Sequence, residues 1–183
     1  MSFILGKKVK MTQIWKDQKV VPVTIIKAAG NTVSLLRTQE KDGYSAVQIA
    51  MSGKKREFRA EAGFLKEIEV GKQIDVTSFK EGDKVKVSGL VKGRGFQGVV
   101  KRHGFHGGPR THGQKDRLRA PGSIGSTAFQ RVVPGRRMAG RMGNNRVSLK
   151  NVIVAGVDAE KGLLMLKGAV PGAPGGLIEI RKA

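Results

Sequence analysis

The chain has no cysteine. No disulfide framework can hold it, and no thiolate can act as nucleophile or metal ligand; a cytoplasmic setting fits that absence. No apolar run approaches the ~20 residues of a membrane-spanning helix. The opening stretch "MSFILGKKVKMTQIW" places its apolar residues before its basic ones, with no cleavage-type site, so it does not read as a secretory signal. Aromatics are scarce, at 5%. Acids are scarce beside bases: 14 Asp and Glu against 35 Lys and Arg give a net charge of +21. A surplus that large repels itself in isolation, so a polyanionic partner is the first inference.

What is present is unevenly spread. Between Lys92 and Lys150 stand 14 Lys or Arg and one acid, Asp116, for +13 over 59 residues. The other 124 residues carry 21 basic and 13 acidic groups, only +8. All three histidines and 12 of the 26 glycines also fall within those 59 residues. At 183 residues the chain can form one domain with a real core and an appendage. The expected division is a body of residues 1–91 and 151–183 interrupted by an extension, 92–150.

The body reads as β. "VVPVTIIKA", "TVSLLRT" and "YSAVQIAM" are β-branched or alternating runs parted by "AGN" and "EKDG" turn signals. "KQIDVTSF", "DKVKVSGLV", "VSLKNVIVAGV" and "GLLMLKGAV" continue the pattern, and "VPGAPGGLIEIRKA" ends in a last short strand. In "DKVKVSGLV", Val85, Val87 and Leu90/Val91 alternate with charged neighbours, as on a half-buried strand. "REFRAEAGFLKEIEV", residues 56–70, is helix-compatible in part, weakened by Gly63. About eight short strands at this spacing imply a small closed barrel, which leaves no exposed edge.

The extension reads as neither helix nor sheet. "THGQKDRLRAPGSIGS" (111–126) offers only Leu118 and Ile124 as large aliphatics, and Pro109, Pro121 and Pro134 add further breaks. Alone, such a segment cannot offset roughly 1–2 kcal/mol of backbone entropy per residue. Against RNA the composition makes sense: glycine lets backbone approach phosphate, Arg presents a planar fork and Lys a point charge. The bland reading, a solvated charged face, does not account for a 14-to-1 asymmetry.

Other motifs point elsewhere only weakly. "GRGFQG" is a literal G-x-G-x-x-G, but a dinucleotide site needs a helix after it and an acid ~20 residues on. "VVKRHGFHGG" does not sustain a packed helix, and the later position is basic and glycine-rich. His103, His106 and His112 are imaginable zinc ligands, but thiolates are lacking and Lys101, Arg102 and Arg110 oppose a cation. Stacking on bases or bonding to phosphate suits these histidines better. Asp116 reads as an internal partner orienting Arg117 or Arg119 rather than as a general acid or base. Phe96, Phe105 and Phe129 are scattered rings that suit wedging into folded RNA better than tracking a single strand, although Phe96 equally suits a core anchor. The chain reads as no enzyme, with no cofactor, metal, membrane or small-molecule substrate.

"LGKKVKMTQIW", "VPVTII", "DGYSAVQIA", "KGRGFQGVVKRHGF", "APGSIGS", "RRMAGRMGNNRV" and "VDAEKGLLMLKGAVPGAPG" run in order along the chain. Together they resemble the bacterial form of the large-subunit ribosomal protein three family, over essentially the whole length. "RRMAGRMGN" and "LLMLKGAVPGAPG" are its most specific stretches. The resemblance implies a six-stranded barrel of the translation-protein type, with a long irregular extension running through ribosomal RNA toward the peptidyl transferase centre. It implies a non-enzymatic, cytoplasmic ribosomal protein that binds large-subunit RNA early in assembly, beside ribosomal proteins fourteen and nineteen. The expected RNA-facing residues are Lys92, Arg94, Lys101, Arg102, His103, His106, Arg110, His112, Lys115, Arg117 and Arg119. Ser123, Ser126, Thr127, Gln130, Arg131, Arg136, Arg137, Arg141, Asn144, Asn145 and Arg146 complete the set. The chain departs from the family at Lys10 (usually Gly), at Trp15 (usually Phe), and at the tip. There "STAFQRVVPG" replaces a "TPGKVFKG"-like segment, and the glutamine methylation of some bacterial members is not carried over to Gln130.

Two other classes stay open on composition alone. A free-standing nucleic-acid chaperone would share the charge but need no single insertion in a barrel. A nucleotide-dependent enzyme would rest on "GRGFQG" alone.

Overall fold

A computed structural model describes residues 2–65 and 68–182. By its contacts the chain divides into two compact units, a body of 1–92 with 145–183 and an extension of 93–144.

The body holds β1 (Phe3–Lys16), β2 (Lys19–Lys27), β3 (Asn31–Arg37), β4 (Ala46–Met51), β5 (Lys54–Arg59), β6 (Gln73–Ile74) and β7 (Lys84–Leu90). After the extension, which carries β8 (Phe96–Gln97) and β9 (Gly140–Arg141), come β10 (Arg146–Asp158), β11 (Leu163–Lys167) and β12 (Leu177–Lys182). Six of these strands pair antiparallel in the order β1-β12-β7-β10-β11-β2 and close into a barrel, β2 returning to β1. Closing so few strands demands sharp bends, and register shifts supply them between Lys8 and Lys10, Leu149 and Val152, and Val154 and Gly156. Asn151, at φ 57°, takes the left-handed conformation inside one shift. The β1–β2 hairpin turns on Asp17 and Gln18, both at positive φ, as a two-residue turn matched to strand twist requires.

Side-chain alternation along β1 feeds two cores. Ile4 enters the barrel interior with Ile26, Val85, Val87, Leu164, Leu166, Ile178 and Ile180. Phe3 and Leu5 point the other way, into a second cluster with Val33, Val47, Ile49 and Phe58. Phe3 stacks on Phe58 with centroids 4.8 Å apart. Gly6 is required where β1 crosses β2: a Cβ there would stand 2.3 Å from Ile26 Cγ2. Asn31 is buried and fully satisfied, its Oδ1 accepting from Leu5 N–H (3.1 Å) and its Nδ2 donating to Leu5 O (2.9 Å) and Ala28 O (2.7 Å).

Several expectations are corrected. The strands over 31–59 do not join the barrel; they form a separate four-stranded sheet, β5-β4-β3-β6, because their apolar face covers the second core. The helix-compatible start of 56–70 is strand, since Phe58 pairs opposite Val47 and points inward while Glu57 faces out. Only α2 (Ala62–Leu65) follows there, as α1 (Gln39–Asp42) follows β3; Lys66 and Glu67 lie outside the described residues. "KQIDVTSF" gives a two-residue strand and a 3-10 turn at Val76–Ser78. Leu90 is exposed: the inward alternation ends at Gly89, where a Cβ would meet Ile178 Cδ1 at 2.9 Å.

Candidate nucleic-acid interface

The extension begins as a narrow ladder. Phe96 and Gln97 pair with Arg141 and Gly140, and Arg94 N–H donates to Met142 O (2.9 Å). After Gly98, five residues form α3 (Val99–His103), ended by Gly104 at φ +73°. The stretch judged unable to sustain a packed helix thus carries a short one, because Val99 finds a buried place for its side chain. Arg102 Nη1 donates to Met138 O (2.7 Å), and His103 Nε2 lies 3.1 Å from the same oxygen. A Cβ at Gly140 would stand 2.8 Å from Arg102 Nη1, so a larger residue there would displace that guanidinium from its place.

Residues 123–136 are held by polar contacts rather than by a core. Ser126 caps a 3-10 turn, Thr127–Phe129, through a 3.4 Å bond from Ala128 N–H, and Gln130 closes it at φ 49°. Ser123 Oγ donates to Gly125 O (3.0 Å), and Arg136 Nη2 donates to Ser123 O (2.9 Å). Ile124, Phe129, Val132 and Val133 are all exposed.

Across 93–144 only Val99 is buried among apolar residues. The same span has eleven Lys or Arg, nine of them Arg, against Asp116. No ion pair forms within it among the described residues. Asp116 is therefore not the internal partner of Arg117 or Arg119; an exposed pair gains ~0–1 kcal/mol at most, too little to fix a long arginine side chain. The expected residues of this span are exposed, apart from half-buried His103. His103, His106 and His112 do not gather into a metal cluster, and no described group of three or more ligand side chains does. Phe96 is 77% exposed, which removes it as a core anchor.

Three expected residues fall in the body. Arg146 opens β10 opposite Leu90 and pairs with Glu179, which also takes Arg56. Asn145 O accepts from Val91 N–H (3.0 Å). Lys92 is exposed. Lys8 donates to Val170 O (2.8 Å) and Gly172 O (3.1 Å); partial burial, then the Lys92 charge, holds its ammonium below the ordinary lysine range.

This arrangement can neutralise phosphate and offer guanidinium forks, but it has no poised acid, base or nucleophile. Residues 7–162 match the family model described as ribosomal protein L3. The chain belongs to the ribosomal protein L3 family. Curated relatives carry the name large ribosomal subunit protein uL3. That of Dehalococcoides mccartyi strain BAV1 is 47% identical over 199 residues, covering 98% of this chain and 97% of its own. The Streptomyces avermitilis protein is 45% identical over 203 residues, and the Mycobacterium marinum protein 48% over 206; each alignment covers 98% of this chain and 95% of the relative. Ribosomal protein L3 is a structural family, not an enzymatic one, and the literal "GRGFQG" marks where the β8–β9 ladder leads into α3.

Sequence reasoning grouped Phe105 with the other scattered rings. The structure separates it: Phe105 is half-buried, its ring centroid 6.0 Å from that of His103. The signal was the aromatic set between two histidines in the glycine-rich "HGFHGG".

Proposed function

We propose that the chain is a non-catalytic structural component of the large ribosomal subunit, resident in the cytoplasm as part of the ribosome, whose 93–144 extension binds large-subunit ribosomal RNA. The observation that carries this is the contrast between eleven cations and a single buried residue in that span, with no internal ion pair among the described residues. Such a segment finds in a polyanion both its counter-charge and the surface it packs against. Its partners are ribosomal RNA and neighbouring large-subunit proteins, fourteen and nineteen, beside a translation-protein-type barrel. It enters early in assembly and stabilises RNA near the peptidyl transferase centre. Ser123 to Gln130, uncharged and small apart from Ile124, Phe129 and Gln130, form the tip that touches RNA closely and tunes it without doing chemistry.

Affinity capture of the tagged chain from cells tests the reading. Co-purifying large-subunit RNA with its protein set is the expected result. Mixed nucleic acid would favour a free-standing chaperone, and no nucleic acid would overturn the assignment.

A further inference from the structure

The loop after α3 is drawn closed by its own backbone. Gly108 N–H donates to Leu118 O (2.9 Å), and a Cβ at Gly107 would stand 2.2 Å from that same oxygen. Gly107 also sits at φ +78°, so glycine is required on both counts. Ala120 N–H donates to Arg117 O (3.2 Å) and completes the opposing wall. The walls flank an open cup of about 650 Å³, within the ~300–1,000 Å³ typical of ligand sites.

Its lining is chemically sorted. His103, Phe105 and Gln114 are half-buried, whereas His106, Arg117 and Arg137 are exposed. The His103 imidazole is fixed through Met138 O, and the Phe105 ring is tilted 42° to it. The Gln114 amide lies over Gly108, near enough that a Cβ there would be 2.9 Å from Nε2. Among the described residues neither Arg117 nor Arg137 makes an ion pair. The cup thus combines a stacking surface, an amide able both to donate and to accept, and two free guanidinium groups, with no carboxylate.

We propose that this cup seats one unstacked nucleotide of ribosomal RNA, its base against Phe105 and His103, its base edge on Gln114, its phosphates met by Arg117 and Arg137. The proposal rests on the RNA-binding reading of 93–144 and deepens it: most of the extension meets backbone phosphate, and here the chain meets a base. Bare phosphate would leave the aromatic floor unused, while splayed bases are what aromatic and guanidinium planes capture in RNA.

The test uses large subunits purified from cells carrying the wild-type chain, Phe105→Leu, which keeps apolar bulk without a ring, or Arg117→Gln. Base-specific chemical probing of the RNA is read beside mass-spectrometric quantitation of the chain. Phe105→Leu should leave the chain in the subunit and raise the reactivity of one or two nucleotides about fivefold or more. Arg117→Gln should expose the same nucleotides to a lesser degree. Unchanged probing with the chain present overturns the cup while leaving RNA binding intact. Absence of the wild-type chain from subunits overturns both. If Phe105→Leu fails to enter subunits, Arg117→Gln decides by the same readout. Saturable micromolar binding of AMP to the isolated full chain would assign the cup to a free nucleotide and overturn the RNA assignment.

Discussion

In the body, Glu179 takes Arg56 and Arg146, Asp83 takes Lys182, and Arg37 lies between Asp42 and Glu57. In the extension eleven cations face one acid, with no ion pair among the described residues. The body buries two apolar clusters, while the extension buries Val99 alone. One region answers its own charge and hydrophobicity; the other is held by turns, glycine contacts and a few side-chain bonds to backbone, and among the described residues its cations find no internal counter-charge. The difference teaches that ordered backbone and self-sufficient stability are separate properties: 93–144 has defined geometry without a core to defend it.

The sharpest way to break the comparison is to make equivalent deletions in each region. Leu164→Ala removes a fully buried barrel side chain and should cost about 2–5 kcal/mol in chemical denaturation. Phe96→Ala, at a side chain 77% exposed, should stay within about 0.5 kcal/mol. Equal losses at the two positions would mean the extension carries folding stability after all.

RNA affinity should show the reverse dependence. With roughly 8 to 12 phosphate contacts, log K should fall steeply with log salt, by about 0.7 to 0.9 per contact. Arg136→Ala with Arg137→Ala should flatten that slope by about one to two units. The structure divides the pair: Arg136 already donates to Ser123 O, so Arg137→Ala alone should account for about one unit. An unchanged slope would remove these side chains from the phosphate set.

Within the extension, anchor and tip should separate. Arg102 ties α3 to Met138 O, so Arg102→Ala should reduce incorporation into subunits first, and Arg141→Ala should do the same. A bulky residue at Ser126 or Thr127 should leave assembly nearly intact while changing peptidyl-transfer rate or sensitivity to drugs that bind the centre. Tip variants that assemble poorly but then translate normally would make the tip another anchor.

Much of the body was legible because β-branched runs such as "VPVTII" state a strand, and the alternation of "DKVKV" also states its buried face. They do not state which sheet a strand joins, so the second sheet was missed. β1, fourteen residues long, was hidden because Lys7, Lys8 and Lys10 interrupt its alternation around a bulge. Asn31 read as a turn residue, and its buried side chain depends on Leu5, 26 positions away. In the extension the charge was plain from composition. The cup was not, because it depends on Gly107 meeting the Leu118 carbonyl across eleven residues with no periodic signal.

The smallest effect concerns acid. Lys182 foremost, then Lys80 N–H, holds the Asp83 carboxyl below the ordinary carboxylate range; Arg37 does so for Asp42, and Tyr44, then Gln48, for Glu57. Depressed folded values add stability that is complete above the unfolded pKa and is lost as pH falls through the folded one. Thermal stability should therefore be level above about pH 5 and decline modestly below about pH 4. Asp83→Asn should remove part of that decline, while Asp116→Asn should leave it unchanged.

Hydrogen exchange tests the central contrast most directly, comparing the isolated protein with the same chain inside purified large subunits. The account predicts fast exchange over 105–140 in the free protein beside protected barrel strands, and strong protection of both regions in the subunit. Slow exchange throughout 105–140 in the free protein would contradict it, showing that the extension holds itself together without RNA.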